Sequence, residues 1–556
     1  MPYKLNKNIE WVVDDTTGAV VGQQLNLGNV AYNTAVAIPT SALMPDLQLD
    51  FTTTAIDPRV TYTRTKSATR TNAAGQLAFA PENVIARSNS FSYWTANNVI
   101  VSPALATDGN VLLSETTATG QHAISTTYNA TVQGQPVTVS AYVHSGGLAG
   151  RSKSFRLQAR AADATTLFYV DVALDFGVVT GSYAGQTRVT DAGDGWWRIE
   201  LTYSETAGPA PRVLYLMLGA GASYPGDARV GVYVKNAQVE SGTLAGPVVQ
   251  TQASAVYLPR IDYSATTIGS VLGALIEEAR TNLCLNSNVG ATQTVTVTAT
   301  TYTVSFYGTG AVTLSNTGSG TFAGTVVSGT DVYPARVQFS FLAAAGSLTL
   351  TIGGTVSFVQ LEAGAHMTSY IPSYAVAASR SAESYAIPAS YASTWYSTDV
   401  GTVAVEFTVD SKASANGVFL SFGGGADMWM WLKSGDAGYV RGGTLDNGPD
   451  QYYLGTLNSN KAVCSQGPTG VYLCQNGLTV QSTATVSTGH NGALTAYIGS
   501  SDATTGHING RLKWFNYFKT QYIYGSELYY LSKTVVWVAK TKGQGEVTEP
   551  FVESLL

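Results

Sequence analysis

Apolar and polar residues alternate along much of this chain of 556 residues. In Val137 to Val143 and Trp196 to Tyr203, apolar side chains recur at every second position. That period is typical of a strand with one buried face. Gly, Asp and Pro residues, which favour turns, separate such segments. The pattern predicts many short strands and an all-β fold.

The strand candidates are grouped at the spacing of β-sandwich modules. In the first group they are Val137 to Val143, Ser154 to Gln158, Leu167 to Leu174, Trp196 to Tyr203, Val213 to Leu218 and Val230 to Val239. In the second, shorter group they are Thr294 to Thr300, Tyr302 to Tyr307, Gly310 to Ser315, Ala335 to Ala343 and Ser347 to Ile352.

Segments with little periodicity separate the groups and predict extended connectors. In the second connector, Val271 to Arg280 has apolar residues at helical spacing, which leaves a helix open as an alternative there. A hairpin is expected over Trp11 to Val21, with its turn around Thr16 to Gly18. The expected order is an N-terminal segment (1–50), a connector (51–83), a sandwich (84–245), a connector (246–282), a shorter sandwich (283–364), a connector (365–394), a third β module (395–540) and a C-terminal tail (541–556).

An internal repeat supports this division. Ala86 to Ser90 matches Ala279 to Leu283 where each of the first two modules begins. Ala237 to Gly242 matches Val359 to Gly364 where each module ends. The repeat predicts that one unit occurs twice, the second time in shorter form, within a rod of stacked domains.

Composition narrows the choice of partners. Charged residues make up 12% of the chain, about half the usual share of roughly 25%. The net charge is −6 and no basic cluster is long enough to follow a phosphate backbone, so nucleic acid is not expected as a partner. No apolar run approaches the length of about 18 residues that predicts membrane insertion. Met1 to Glu10 lacks the apolar core of a signal peptide.

Cys284, Cys464 and Cys474 are too few for a disulfide framework. Buried free thiols, in a chain that folds in a reducing cytosol, are the favoured interpretation. A pair between Cys464 and Cys474 across a hairpin is the alternative.

Several motifs carry a family resemblance. Phe51 to Arg59, with Thr63-Arg64 and Ala68 to Gly75, resembles the connector found in structural proteins of tailed bacteriophages and related gene transfer agents. Further pieces of that pattern are similar to Leu275 to Leu283, Gln360 to Gly364, Thr368 to Pro372 and Ser379-Arg380. Gly193 to Arg198 resembles the late hairpin of the carbohydrate-binding-module-like sandwiches that these connectors flank. Pro259 to Tyr263 resembles a Pro-Arg-x-Asp-Tyr element that usually precedes a single sandwich. Here it follows the first sandwich, which suggests an inserted module.

The third module resembles laminin G/concanavalin A-like jelly rolls, through Gly401 to Phe407, Gln475 to Gly477, Ala496 to Gly499 and Ile508 to Phe518. Together the resemblances imply a virion tail fibre, spike or receptor-binding protein. Such a protein is usually a homotrimer, is assembled in the bacterial cytoplasm and is exposed on the particle. Residues 1–50 would then dock on tail, baseplate, collar or capsid proteins. The alternatives are an architectural head fibre, capsid decoration or collar protein without a ligand, and a glycan depolymerase tailspike.

One cluster in the third module is a candidate glycan site. Trp429 and Trp431 share a face of a predicted strand, and aromatic faces can stack on sugar rings. The other candidates near them are Asp427, Asn447, Asp450, Tyr452 and Tyr453. The more conservative interpretation places the two tryptophans in the jelly-roll core or in a trimer interface. A host cell-surface polysaccharide is the ligand that the first interpretation implies.

No enzyme motif stands out, so no catalytic residue, metal or cofactor is expected. The five histidines show no metal-ligand spacing, and neither a nucleophile elbow nor a Walker loop is present. Glu240 and Glu362 occupy equivalent repeat positions, but paired glycosidase carboxylates must lie close together. These two belong to separate modules, and each is expected to bind backbone or a nearby arginine instead.

Overall fold

The computed structural model describes residues 45–523, the backbones of four strands between residues 4 and 32, and Leu528 and Ser532. Within 45–523 the description omits 103–108, 130–133, 146–153, 161–166, 182, 184–185, 205–210, 317–324, 330–332, 399, 411–416, 424–426, 433–438, 443–449, 453–459, 485–493 and 520–522. For several strand residues between 427 and 452 only the backbone is described. In this part of the chain, no helix has the length and apolarity needed to span a membrane.

The predicted all-β class is confirmed. Every strand pairing among the described residues is antiparallel. The helices of this region are short: the α-helix Ala392–Trp395 and the 3₁₀ helices Phe91–Tyr93 and Ala389–Tyr391.

The first sandwich consists of two six-stranded sheets. In spatial order, one contains Thr95–Asn97, Ala123–Asn129, Pro211–Leu218, Ser154–Arg160, Leu167–Ala173 and Val178–Thr180. The other contains Val99–Val101, Val111–Glu115, Gly231–Ser241, Pro136–His144, Trp196–Ser204 and Thr187–Asp191. Alternating residues such as Val139, Val170 and Leu216 fill the space between the sheets. All six strands expected here are present.

The second sandwich is smaller, with one four-stranded and one three-stranded sheet. The larger sheet contains Gln293–Val297, Gly346–Gly353, Ala311–Asn316 and Thr325–Ser328. The smaller sheet contains Val337–Leu342, Thr301–Tyr307 and Ser357–Ala363. All five expected strands are present, and Val304, Leu350 and Leu361 lie in the core.

The third module recruits strands from far upstream. Its eight-stranded sheet contains Ile261–Tyr263, Val271–Ile276, Gly510–Phe518, Gly401–Val409, Asn460–Gly467, Gly470–Gln475 and Gln481–Thr483, with Leu47–Asp50 also paired to Gly510–Phe518. Its seven-stranded sheet contains Asp450–Tyr452, Tyr439–Gly442, Asp427–Leu432, Gly417–Phe422, Ala496–Ile498, Ser384–Ile387 and Thr61–Thr63. Residues expected in the N-terminal segment and in all three connectors therefore complete these two sheets.

Smaller ladders complete the list. The N-terminal sheet contains Lys4–Asn6, Ile9–Val13, Val20–Leu27 and Val30–Tyr32. Its central pair confirms the two strands of the expected hairpin, while the turn lies outside the described residues. The two-stranded ladders are Thr69–Thr71 with Leu77–Phe79, Glu82–Asn83 with Val256–Tyr257, Thr119–Gly120 with Tyr224–Pro225, and Arg280–Asn282 with Ala378–Arg380.

The helix left open at Val271 to Arg280 is not formed. Val271–Ile276 is a strand paired with Gly510–Phe518. Both faces of its end are covered, because Ala274 and Ile276 face the jelly-roll core while Leu275 is buried on the opposite side. Consecutive burial of this kind produced the helix-like spacing.

All three cysteines are buried and free, as favoured from the sequence. Cys464 lies in the main jelly-roll core and Cys474 in a separate small cluster. Their strands pair Cys464 with Leu473 and Val463 with Cys474. The two thiols therefore lie on opposite faces of the sheet, which excludes the alternative disulfide.

The internal repeat appears as a buried hydrogen-bonded brace. Asn83 Nδ2 donates to the carbonyls of Ala237 (3.0 Å) and Val249 (2.8 Å). Asn282 Nδ2 donates in the same way to Val359 (3.2 Å) and Ile371 (2.9 Å). The match at the end of each module is thus confirmed.

The match at the start of each module is wrong by six residues. Asn282 was paired with Asn89, but its structural equivalent is Asn83. Arg87 and Asn286, which lie four residues after the two brace asparagines, both have positive φ (59° and 46°). The shared Ala-Arg-Ser/Thr-Asn letters reflect local similarity, whereas the brace depends on hydrogen bonds to distant segments.

Candidate functional site

Five of the predicted glycan residues, Asp427, Trp429, Trp431, Asp450 and Tyr452, belong to strands of one sheet of the jelly roll. The strand Asp427–Leu432 pairs with Gly417–Phe422 and with Tyr439–Gly442, and Met430 is buried in the core. The side chains of Asp427, Trp429, Trp431, Asp450 and Tyr452, and all of Asn447 and Tyr453, lie outside the described residues. The glycan site at Trp429 and Trp431 therefore stays a prediction.

The two repeat carboxylates serve separate structural roles. Glu240 accepts hydrogen bonds from Gln238 Nε2 (2.7 Å) and Gly246 N (2.9 Å). Glu362 accepts them from Gln360 Nε2 (2.6 Å) and from Thr368 N (2.8 Å) and Oγ1 (2.7 Å). Burial raises the pKa of Glu240 to about 7. Each carboxylate binds the backbone of the following connector, as expected.

A cluster of buried charges, which we call the ion hub, joins the connectors to one another. At its centre Arg260, which is fully buried, donates through Nη2 to Glu383 (2.7 Å) and forms an ion pair with Glu277, whose carboxylate oxygen lies 2.8 Å from the same Nη2. Its Nη1 donates to Ser369 Oγ (2.7 Å). Residues from the second and the third connector therefore meet at one guanidinium group.

Glu277 is the most heavily used acceptor of the hub. Besides Arg260, it forms an ion pair with Arg380 Nη1 (2.9 Å) and accepts hydrogen bonds from both the N and the Oγ of Ser369 (2.7 and 2.6 Å). Burial alone would raise the pKa of Glu277, but the two arginines and Ser369 hold it well below the usual value. The centre of the hub thus has two arginines balanced by two glutamates, with Glu383 as the second.

The first connector brings a further pair to the hub. Arg64 donates to the carbonyls of Lys66 (2.6 Å) and Leu258 (3.0 Å), and lies 3.7 Å from Glu82. Glu82 accepts from Ser67 Oγ (2.7 Å) and from Ser241 N (3.1 Å), at the end of the first sandwich. The first sandwich is therefore tied by buried polar contacts to Leu258, two residues before the central arginine of the hub.

Sequence reasoning missed the hub as a unit, although it quoted its residues. Arg64, Arg260, Glu277 and Arg380 all lie in the motifs that carried the family resemblance. In a chain with only 12% charged residues, Arg and Glu within connector segments are a usable signal. Their partners, such as Glu383 and Ser369, could not be assigned without the tertiary contacts.

A polar cleft of about 610 Å³ opens beside the hub, between the modules. We call it the inter-module cleft. The second sandwich contributes Tyr307, Tyr333 and Arg336, the connectors contribute Arg70, Asp262 and Tyr263, and the jelly roll contributes Asp410, Arg511 and Lys513. Its volume lies within the range of about 300–1,000 Å³ that is usual for ligand sites, which often occur at domain boundaries.

Aromatic and basic groups alternate along the cleft walls. The rings of Tyr307 and Tyr333 are 5.5 Å apart, and the guanidinium of Arg336 lies 5.5 Å from the Tyr307 ring. On the connector side, the guanidinium of Arg70 lies 5.7 Å from the Tyr263 ring. The walls can therefore offer flat apolar faces together with fixed positive charge.

The jelly-roll wall is held by ion pairs. Arg511 pairs with Asp262 (2.5 Å) and with Asp410, which connects the last strand to the connector. Lys513 lies 3.2 Å from Glu406. In the described part of the chain, no group of three His, Cys, Asp or Glu side chains could hold a metal ion.

No family model and no curated protein matches the chain. It is similar to the solved N-terminal CBM22-1–CBM22-2 tandem domain of Xyn10C from Paenibacillus barcinonensis, with 14% identity, 51% of this chain and 98% of that one covered, and a TM-score of 0.20. It is also similar to domains LG4–5 of the mouse laminin α1 chain, with 9% identity, 79% of this chain and 86% of that one covered, and a TM-score of 0.19. The LG1–3 region of the laminin α2 chain has 10% identity, with 71% of this chain and 94% of that one covered, and a TM-score of 0.14. These values are too low to bear on function.

Proposed function

We propose that this chain is a non-catalytic structural and adhesion protein of a tailed-bacteriophage-type virion, forming a fibre- or spike-type appendage that contacts host surface glycans. The observation that carries the proposal is the ion hub, where connector residues separated by hundreds of positions hold three β modules against one another. An appendage that presents a surface at a distance needs such a mount. The assignment to a virion comes from the motifs in which the hub residues lie.

The positions and hydrogen bonds of four buried glutamates support a non-catalytic role. Glu240 and Glu362 lie in different sandwiches, and each is occupied by structural hydrogen bonds. Glu277 and Glu383 are enclosed with Arg260 and are buried from solvent. A depolymerase needs two carboxylates that face each other across a substrate, and none of these four is placed for that role.

We further propose how the chain is assembled and attached on the particle. The chain would form a homotrimer, and residues 1–50 would carry part of the contact with other virion proteins. Weak glycan contacts in each copy would be summed by avidity over the copies. The residues proposed for that contact on the jelly roll include Trp429 and Trp431.

The test combines location and binding. Antibody against the purified chain is expected to decorate an appendage on imaged particles, and the purified chain is expected to bind host cells and extracted host polysaccharide. Labelling without binding would replace this proposal with the purely architectural role, which the hub also favours. Release of reducing ends from the polysaccharide would establish the depolymerase. Absence of the chain from particles would overturn the virion assignment.

A further inference from the structure

The inter-module cleft has an uneven distribution of charge. Arg511 and Lys513 have carboxylate partners, as described above. Arg70 and Arg336 differ from them, because no carboxylate among the described residues lies within 4.0 Å of either guanidinium. Arg70 Nη1 donates to the carbonyl of Ile261 (2.8 Å). Arg336 donates to the carbonyl of Thr368 (2.6 Å) and to the hydroxyl of Ser305. Neither of these two positive charges is thus in an ion pair with a described carboxylate.

Partial burial makes this arrangement unfavourable in the empty protein. Both side chains are half-buried, and the Nε of each is buried and has no hydrogen-bond partner among the described residues. Burial lowers the pKa of Arg70, and the nearby Tyr263 and Asp262 oppose that shift only in part. A guanidinium taken out of water without a full set of partners raises the free energy of the folded state. An anion bound in the cleft would offset that penalty.

The tyrosines narrow the chemistry of the ligand. Tyr307 and Tyr333 present two rings at a tilt of 47°, beside Arg336. Tyr263 lies beside Arg70 on the other wall. Aromatic faces next to a guanidinium suit a ligand that has both an apolar C–H face and an anionic group. A small inorganic anion would use the arginines and leave the rings unused.

We propose that the inter-module cleft binds an anionic saccharide, whose carboxylate or phosphate oxygens pair with Arg70 and Arg336 while its rings pack on Tyr263, Tyr307 and Tyr333. This site is distinct from the one predicted at Trp429 and Trp431. It rests on the proposed function, because it names the class of glycan that the appendage contacts.

The experiment uses the full chain and three defined probes in calorimetric titrations: an oligogalacturonate, a neutral galacto-oligosaccharide of the same length and a phosphorylated oligosaccharide. We expect at least one anionic probe to bind at least tenfold more tightly than the neutral one, and to bind more weakly as salt rises. The two anionic probes separate carboxylate from phosphate recognition. Equal binding of neutral and anionic probes, or no binding of either anionic probe, would overturn the inference.

Two variants place the site. Arg336→Gln is expected to weaken binding of the anionic probe at least tenfold, and Tyr333→Ala several-fold. Among the described residues, Tyr333 makes only one long hydrogen bond, 3.4 Å to Thr71 Oγ1, so its variant keeps the test valid if Arg336→Gln proves unstable in thermal unfolding. Arg229→Gln is the matched control, because that side chain is 86% exposed on the first sandwich. Unchanged affinity in both cleft variants would overturn the cleft site. If the same variants still bound host polysaccharide, adhesion itself would stand.

Discussion

The two sandwiches share one brace but differ in size. The first has two sheets of six strands, and the second has sheets of four and three. In both, a buried asparagine, Asn83 or Asn282, ties the last strand of the module to the connector that follows it. The braced strand Gly231–Ser241 lies inside its sheet in the first sandwich, whereas the braced strand Ser357–Ala363 lies at the edge of its sheet in the second. The brace therefore persists although the shorter copy lacks the strands that flank the braced strand on one side.

The sandwiches also differ in how they meet the ion hub. In the first, Glu82 precedes the brace asparagine and provides the charge beside Arg64. Its counterpart in the second is Thr281, which forms a hydroxyl contact of 2.8 Å with Ser379. In the second sandwich the acidic residue at the junction is instead Glu277, four positions before Thr281. Buried polar groups need partners at both junctions, whereas the position of the acidic residue differs between the two sandwiches.

The largest effect is expected from Arg260→Met, which separates the two junctions. It leaves Glu277 and Glu383 buried with fewer partners, and removing one member of a buried ion pair typically costs about 3–5 kcal/mol. Because Glu277 binds Ser369 next to the second sandwich, amide exchange should rise more around 357–371 than around 231–249. Hydrogen exchange with mass spectrometry measures both segments. Arg229→Met is the exposed control, and an equal response of the two segments would contradict the asymmetry.

The next effect tests whether the brace is equivalent in the two copies. Asn83→Ala and Asn282→Ala each leave two carbonyls and two backbone N–H groups without their side-chain partner. Each variant is expected to lower the free energy of unfolding by roughly 2–4 kcal/mol, at about 0.5–1 kcal/mol for each of the four hydrogen bonds lost. Denaturant titration measures the loss, with the exposed Asn97→Ala as control. A large loss in only one copy would show that the two braces are not energetically alike.

A pH dependence belongs to Glu240 in the first copy. Its pKa is raised by burial from an ordinary value of 4.5 to about 7, so the folded state holds its proton more tightly than the unfolded state. Its contribution to stability is present below pH 4.5 and is lost as pH rises through about 7. Glu240→Gln should remove a loss on the order of 3 kcal/mol between these limits. Unfolding titrations at several pH values measure it, and the two proteins should converge at pH 4. A variant with the parent's pH profile would exclude Glu240 as the cause.

The smallest effect concerns a matched pair of threonines. Thr138 Oγ1 donates to the carbonyl of Gly242 (2.9 Å), and Thr303 Oγ1 donates to the carbonyl of Gly364 (2.8 Å). Each hydroxyl also contacts a second hydroxyl, Thr202 Oγ1 (2.9 Å) or Ser340 Oγ (2.8 Å). Replacement of either threonine by the isosteric Val should therefore cost about 1–2 kcal/mol, at about 0.5–1 kcal/mol for each of the two hydrogen bonds. Equal shifts in the denaturant midpoint are expected. A shift that exceeded the brace variants would reverse the order proposed for the two features.

Much of the strand content could be predicted from the sequence, because side chains in a half-buried strand alternate regardless of what lies further away. All eleven strands proposed for the two sandwiches are present. The strands that were missed are often short, such as Thr95–Asn97 and Val178–Thr180 at sheet edges, where too few residues establish a period. Val271–Ile276 was ambiguous for the opposite reason, since it is covered on both faces.

What the sequence by itself determined is the all-β class, the strands with a clear period and the repeat at the end of each sandwich. Only the tertiary structure decided the register of the repeat, the ion hub and the inter-module cleft. Leu47 and Ile387 belong to one core although they are 340 positions apart. Arg260 donates a hydrogen bond to Glu383, which lies 123 positions further along the chain. A local pattern records which face of a segment is buried. It does not record which distant segment covers that face, and that choice created the junctions between the modules.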